Sequence, residues 1–159
     1  MPSIEELVLN EELFTVDPSL SDGEIQIRFL YLLPTAKEWL ERNLSSCTTD
    51  GFFEGAVDPE EQADNFFHDF SADMSPTFDM EPHIMRPEAD SVWELRTADL
   101  RFFGWFWRVK TFFVSYVNTK EQCMKHGLYN GYLNETKRVR NQLNIDPPPF
   151  ITGTLNDLL

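Results

Sequence analysis

The chain has 159 residues, of which 42% are hydrophobic, and this suits one folded domain with a modest core. Its 27 acidic residues outnumber 13 lysines and arginines, and the net charge of −14 argues against binding nucleic acid through overall charge. The longest apolar runs are far shorter than the roughly 18 residues that a membrane helix needs. The acidic N-terminal stretch does not resemble a signal peptide, and Cys47 and Cys123 lie far apart. We therefore expect a cytoplasmic protein with reduced thiols that does not enter a membrane.

Charge is divided unevenly along the chain. Residues 1–90 hold 21 acidic and four basic residues, whereas residues 91–145 hold four acidic and nine basic residues. The first part therefore carries a net charge of −17 and the second part +5. Such a division indicates a basic face in the second part. That face either binds an anion or is covered by the acidic first part.

The first half of the chain predicts helices around one strand. Ser3 and Glu6 have the spacing of a capping box, so a short amphipathic helix begins here, either docking a partner or lying on its own domain. Residues 24–33 first alternate between polar and apolar side chains and then become continuously apolar, which is typical of a central strand. Helices are predicted from Pro34 and from Asp58. Residues 71–90 contain three prolines and are predicted to be a long irregular connection.

The second half is dominated by residues 91–123, which are rich in aromatic and β-branched residues. Three antiparallel strands are predicted over residues 92–97, 102–109 and 112–118. A helix over 128–143 follows. Residues 146–159 are predicted to be a Pro-rich tail, of which the last ten residues are mobile or bind a partner. The predicted fold class is α+β: an antiparallel-rich sheet of three to four strands backed by helices, with an extra N-terminal helix.

Standard catalytic motifs do not occur in the sequence, which has no Gly-rich nucleotide loop, G-x-S-x-G elbow, H-E-x-x-H or C-x-x-C. No metal site and no cofactor are therefore predicted. Cations on the strands suggest another chemistry, because metal-independent RNA cleavage needs a base, an acid and positive charge at the phosphate. Arg96 and Arg108 lie on adjacent predicted strands and share a face only if the register allows it. Otherwise they are solvated or paired with carboxylates such as Glu94.

The order of motifs over residues 24–143 resembles the RelE/HigB superfamily of toxins, in its phage-derived HigB-like branch. The matching elements are Pro82-His83, Trp93-Glu94-Leu95-Arg96, Trp107-Arg108-Val109, the hydrophobic strand 112–117, Lys120 with Gln122, and the helix 128–143. The resemblance implies a RelE/HigB-like domain over 24–145 that includes the connection 71–90. The residue patterns add an N-terminal helix and linker over 1–23 and a tail over 146–159.

The resemblance also implies the toxin of a type II toxin–antitoxin system, a metal-independent mRNA endonuclease that acts on free or ribosome-bound mRNA and is neutralised by a cognate antitoxin. Arg96, Arg108 and Lys120 are the implied catalytic residues. Substrate binding is expected from four further residues: Arg101, Lys110, Lys125 and His126. The alternative is a catalytically inactive, toxin-like phage or prophage protein that acts as a protein-interaction module. Acidic residues of the first half paired with the basic face would favour that alternative.

Overall fold

The structure is a computed structural model that describes residues 2–52, 54–55, 57–72 and 80–159. The helices are α1 (Ile4–Leu9), α2 (Pro34–Asn43), α3 (Pro59–Ala72), α4 (Lys120–His126), α5 (Tyr129–Gln142) and α6 (Leu155–Leu158). The strands are β1 (Phe14–Thr15), β2 (Phe29–Leu32), β3 (Met80–Ile84), β4 (Trp93–Arg96), β5 (Leu100–Arg108) and β6 (Thr111–Thr119). The α+β class is therefore confirmed. None of the helices in the described ranges is long and apolar enough to cross a membrane.

The described strands form one mixed sheet in the order β1-β2-β6-β5-β4-β3, with β2 parallel to β6 and the other pairs antiparallel. The prediction of three to four strands was wrong, because two short edge strands were missed. β1 has only two residues. β3 contains Pro82, which lacks an N–H for the ladder and is tolerated at a sheet edge. β3 also lies inside the predicted irregular connection 71–90, of which residues 73–79 fall outside the described part.

The β5–β6 hairpin is the centre of the sheet. β5 begins two residues before the predicted strand and ends one residue before its predicted end, and β6 is one residue longer than predicted at each end. Its register shifts twice, between Phe103 and Gly104 and between Phe106 and Arg108. Gly104 is required by close packing, since a Cβ there would lie 1.9 Å from the Phe113 carbonyl oxygen. Lys110 turns the hairpin with φ of 64°.

Apolar side chains cover both faces of the sheet. Successive residues of a strand point to opposite faces, so Phe112 and Phe113 belong to different cores. One core receives α2, α3 and α6, and Phe66 and Phe102 stack within it at 5.1 Å. The other face is covered by α1 and α5. Leu7 of α1 is completely buried, which confirms that the N-terminal helix lies on its own domain.

The C-terminal segment packs against the domain, so the prediction of a mobile tail was wrong. Ile151 donates its backbone N–H to Phe106 O, and Lys110 donates to Leu158 O. Leu158 is only 1% exposed and belongs to the same core as α3. The prolines end α5, but the apolar residues that follow them contribute buried surface to the domain.

Candidate active site

A concave pocket lies at the β3–β4 edge of the sheet, beside the start of α5. The strand register pairs His83 directly with Glu94, which puts both side chains on one face. The opening has a volume of about 380 Å³. It is lined by His83, Met85, Arg86, Glu94, Arg96, Arg101, Tyr129 and Asn130. Three guanidinium groups and an imidazole therefore surround a single carboxylate.

Glu94 is the buried acid of this pocket, with a residue exposure of only 6%. Its Oε1 lies 3.1 Å from Arg101 Nε, and its Oε2 lies 3.9 Å from His83 Nδ1. Burial raises the pKa of Glu94 above the ordinary value, and this effect outweighs the lowering by Arg101, Arg96 and His83. A carboxylate with a raised pKa can exchange a proton nearer to neutral pH, which suits general acid–base chemistry.

The two arginines of the pocket differ in their freedom to bind a ligand. Arg101 is 3% exposed, and its Nη1 donates to the carbonyl oxygens of Thr97 at 2.7 Å and Leu100 at 2.9 Å. Its Nε–H is not aimed at Glu94, so their contact is an ion pair and not a hydrogen bond. Arg96 is half-buried and donates Nε and Nη2 to Glu81 O. One carbonyl uses only part of the five donors of a guanidinium, so Arg96 is the better anion ligand.

Tyr129 lines the pocket, and Cys123 is a fully buried residue whose electrostatic environment includes Glu94. Burial raises the pKa of both groups, and that of Cys123 rises to about 12. Glu94 adds to each shift through its negative charge. A thiol in this state is a poor nucleophile at neutral pH, so the pocket is suited to proton transfer and anion binding and not to covalent chemistry through Cys123.

Arg108 does not join Arg96, although the two were predicted to form the catalytic pair. Arg96 pairs with Arg101 across β4 and β5, and Arg108 lies seven residues further along β5. At about 3.3 Å per residue, the two arginines are roughly 23 Å apart. Arg108 donates instead to the carbonyl oxygens of Trp107, Asp146, Pro147 and Pro148, at 2.6 to 3.1 Å.

Lys120, Lys125 and His126 lie on α4. Lys120 Nζ forms an ion pair of 2.8 Å with Asp50 and lies 4.5 Å from the ring centroid of Phe52. Lys120 and Lys125 line a second cavity, which Arg101 also lines. His126 is an exposed residue at the end of α4. Lys110 is exposed at the β5–β6 turn.

The structure therefore assembles Arg96 and Arg101 in the first cavity and Arg101, Lys120 and Lys125 in the second. Glu94 and His83 were not predicted among the catalytic and substrate-binding residues, although Glu94 lies among the polar positions of the predicted sheet and His83 lies in the family motif. The alternation of Glu94 and Arg96 was a signal that both face one side of β4. The pairing with His83 depends on the irregular register of β3, which has no sequence signal. Within the described ranges no three His, Cys, Asp or Glu residues are grouped to hold a metal ion.

Comparisons with known proteins returned no match: no family model, no curated protein and no solved structure is significantly similar to this chain.

Proposed function

We propose that this chain is a metal-independent endoribonuclease that acts as the toxin of a type II toxin–antitoxin system, with its active site at His83, Glu94 and Arg96. The observation that carries the proposal is the buried Glu94 of raised pKa, which faces His83 across the β3–β4 ladder in a pocket lined by arginines. Perturbed carboxylates in cationic clefts are frequent catalytic groups. This site replaces the pair of Arg96 and Arg108 that the sequence suggested.

The pocket supports an in-line transesterification. Ionised Glu94 accepts the proton of the ribose 2′-hydroxyl, and the 2′-oxygen attacks the adjacent phosphorus. Arg96 binds the non-bridging oxygens as negative charge develops, while buried Arg101 supplies a fixed positive charge beside the carboxylate. His83 gives a proton to the departing 5′-oxygen. The products are a 2′,3′-cyclic phosphate and a 5′-hydroxyl, and no metal ion takes part.

The order of elements supports a RelE/HigB-like core within the larger sheet. A strand with Glu94 and Arg96, a strand that ends at Arg108, a hydrophobic strand and a final helix follow one another as in the resemblance. β1 and α1 are then additions at the N-terminal side, whereas β3 at the other edge carries the Pro82-His83 segment of the resemblance. Under this proposal the protein works in the cytoplasm on free or ribosome-bound mRNA, and a cognate antitoxin neutralises it.

The experiment compares growth and RNA integrity on expression of the wild type, Glu94→Gln and His83→Ala. We expect wild-type cleavage with 2′,3′-cyclic phosphate ends, and a loss of about 100-fold or more in either variant, as is typical for an acid–base group. Glu41→Gln, an exposed change on α2, is the matched control and should retain activity. Circular dichroism verifies that each variant is folded.

Intact RNA with the wild type in cells and in a purified ribosome assay would overturn the nuclease proposal. Full activity of Glu94→Gln would instead remove Glu94 from the site and leave the nuclease activity standing.

A second candidate function is an inactive, toxin-like interaction module, which the ion pairs between the two halves of the chain favour. Asp50 from the acidic half pairs with Lys120, and Asp90 pairs with Lys137 of α5 at 3.0 Å. These contacts neutralise cations that RNA would otherwise meet. Recovery of one defined protein partner at stoichiometric amounts, together with intact RNA, would support this candidate over the nuclease.

A further inference from the structure

The second cavity is open and mainly apolar, with a volume of about 550 Å³. It is lined by Asp50, Phe52, Met80, Arg101, Lys120, Glu121, Met124 and Lys125. Two of its apolar side chains are strongly exposed, Phe52 at 75% and Met124 at 67%. Large hydrophobic side chains that share one concave site, with charged groups around them, mark a binding surface more often than singly exposed ones do.

The loop that carries Phe52 is held in place by hydrogen bonds. Phe52 donates its backbone N–H to Asp50 Oδ1 at 2.9 Å, and Asp50 donates its own N–H to Asp99 Oδ1 at 3.1 Å. Asp50 is also paired with Lys120, whose ammonium lies over the Phe52 ring. Asp99 is itself buried and accepts a bond from Gln62 of α3 at 2.6 Å. The aromatic ring is therefore presented by a network that reaches the core.

Arg101 lies between the two cavities, because this residue, which is only 3% exposed, lines both. A ligand with a phosphate beside Arg96 would therefore extend past Arg101 toward Phe52. Single-stranded RNA has this alternation of phosphate and flat aromatic base, and proteins bind it by stacking bases on aromatic rings beside cations. Lys125 on the lining supplies further positive charge for the backbone.

We propose that the second cavity binds a nucleobase of single-stranded RNA next to the scissile phosphate, with Phe52 as the stacking platform. This inference rests on the proposed ribonuclease function and adds a determinant of substrate preference to it. Met80 and Met124 contact the base edge as adaptable apolar groups. An acidic, apolar peptide is the competing occupant, and the cavity favours RNA because it adjoins the arginines of the first pocket.

The test is a double-mutant cycle that combines a change in the protein with a change in the RNA. The RNA carries fluorescein, and one 2′-deoxy nucleotide in it prevents cleavage. Fluorescence anisotropy compares the wild type with Phe52→Ala, and the intact RNA with one that lacks the base beside the deoxy nucleotide. We expect each change alone to weaken binding about tenfold, the typical loss on removing one base–aromatic stack. Combining the two changes should cause no further loss, since both remove the same contact. Leu9→Ala, an 82% exposed apolar change on α1, is the control.

The outcomes separate this inference from the nuclease proposal. The subsite would be overturned if Phe52→Ala bound the RNA within twofold of the wild type, even if the wild type cleaves RNA. It would also be overturned if the losses in affinity from Phe52→Ala and from base removal multiplied when the two changes were combined. The coupled loss without any cleavage would support the subsite and overturn the nuclease. An RNA that does not bind the wild type, while an acidic peptide binds and depends on Phe52, would overturn the subsite, and the ribosome assay alone would then decide the nuclease proposal.

Discussion

Replacing Arg108 by alanine should destabilise the protein, because this side chain ties the C-terminal segment to the β5 strand. Nη1 donates to Trp107 O at 2.6 Å and Pro148 O at 2.8 Å, and Nη2 donates to Asp146 O and Pro147 O at 3.1 Å. The guanidinium also stacks 4.2 Å from the centroid of the Trp107 ring. A planar cation of this kind serves as a structural clamp and has little capacity left for a phosphate.

The size of the effect follows from the accessibility of these contacts. A hydrogen bond to a charged group contributes about 1.5–3 kcal/mol when it is well buried. The carbonyls at Asp146, Pro147 and Pro148 lie near solvent, so water replaces part of each bond, and four contacts of one cation do not add independently. We expect Arg108→Ala to lower the free energy of unfolding by about 2 kcal/mol. Arg108→Lys should cost about half as much, since an ammonium keeps the charge but loses the planar fork.

Equilibrium unfolding in urea, followed by tryptophan fluorescence, measures this change. The matched control is Arg42→Ala, which removes an exposed helical ion pair with Glu38 and should cost less than about 0.5 kcal/mol. Equal stability of Arg108→Ala and Arg42→Ala would refute the clamp. Loss of RNA cleavage by Arg108→Ala at unchanged stability would return Arg108 to the active site.

Three further predictions follow from buried or paired groups. Gly104→Ala should lower the free energy of unfolding by about 3 kcal/mol or more, because the added Cβ meets the Phe113 carbonyl and the hairpin backbone must shift. Urea unfolding measures this loss, and an unchanged urea midpoint would contradict the close packing at Gly104. Cys123 should react with a thiol reagent far more slowly than Cys47, because burial raises the pKa of Cys123 to about 12. Mass spectrometry of the partly labelled native protein identifies which cysteine reacts first, and equal labelling of both would contradict the burial of Cys123. The pKa of His68 should lie above 6.5, raised by hydrogen bonds to Asp69 and Glu24. The stabilisation from this pairing is therefore fully present below pH 6.5 and is lost as pH rises through the raised pKa of His68. A proton NMR titration should show a lower His68 pKa in Glu24→Gln than in the wild type, and an unchanged pKa would contradict the contact.

The central hairpin could be predicted from the sequence because its signal is local and strong. Residues 100–119 combine aromatic and β-branched residues with a short polar turn, and β5 and β6 lie where this pattern places them. The edge strands have no such signal. β1 has two residues, and β3 contains a proline, so each is recognised only by its partner in the sheet. A sequence pattern identifies strands that are rich in β-forming side chains more readily than strands that are defined only by pairing with a neighbour.

The site could be predicted only in part, because two residues on neighbouring strands are not necessarily close to each other. Adjacent strands suggested that Arg96 and Arg108 lie together, but β4 has four residues and β5 has nine, so one end of β5 extends far beyond β4. Register decides which side chains meet, and the sequence carries no direct record of it. The same register brings Arg96 beside Arg101 and His83 beside Glu94.

Net charge is a poor guide to this site because charges act over short distances in salt. At physiological ionic strength the screening length is about 8 Å, so a phosphate in the first pocket responds mainly to the groups that line it. Those groups include three arginines, Arg86, Arg96 and Arg101, and one carboxylate, Glu94. A chain with a net charge of −14 can therefore present a locally positive pocket. Under the nuclease proposal, the remote acidic residues slow the approach of RNA, but they contribute little to its binding once the phosphate has entered.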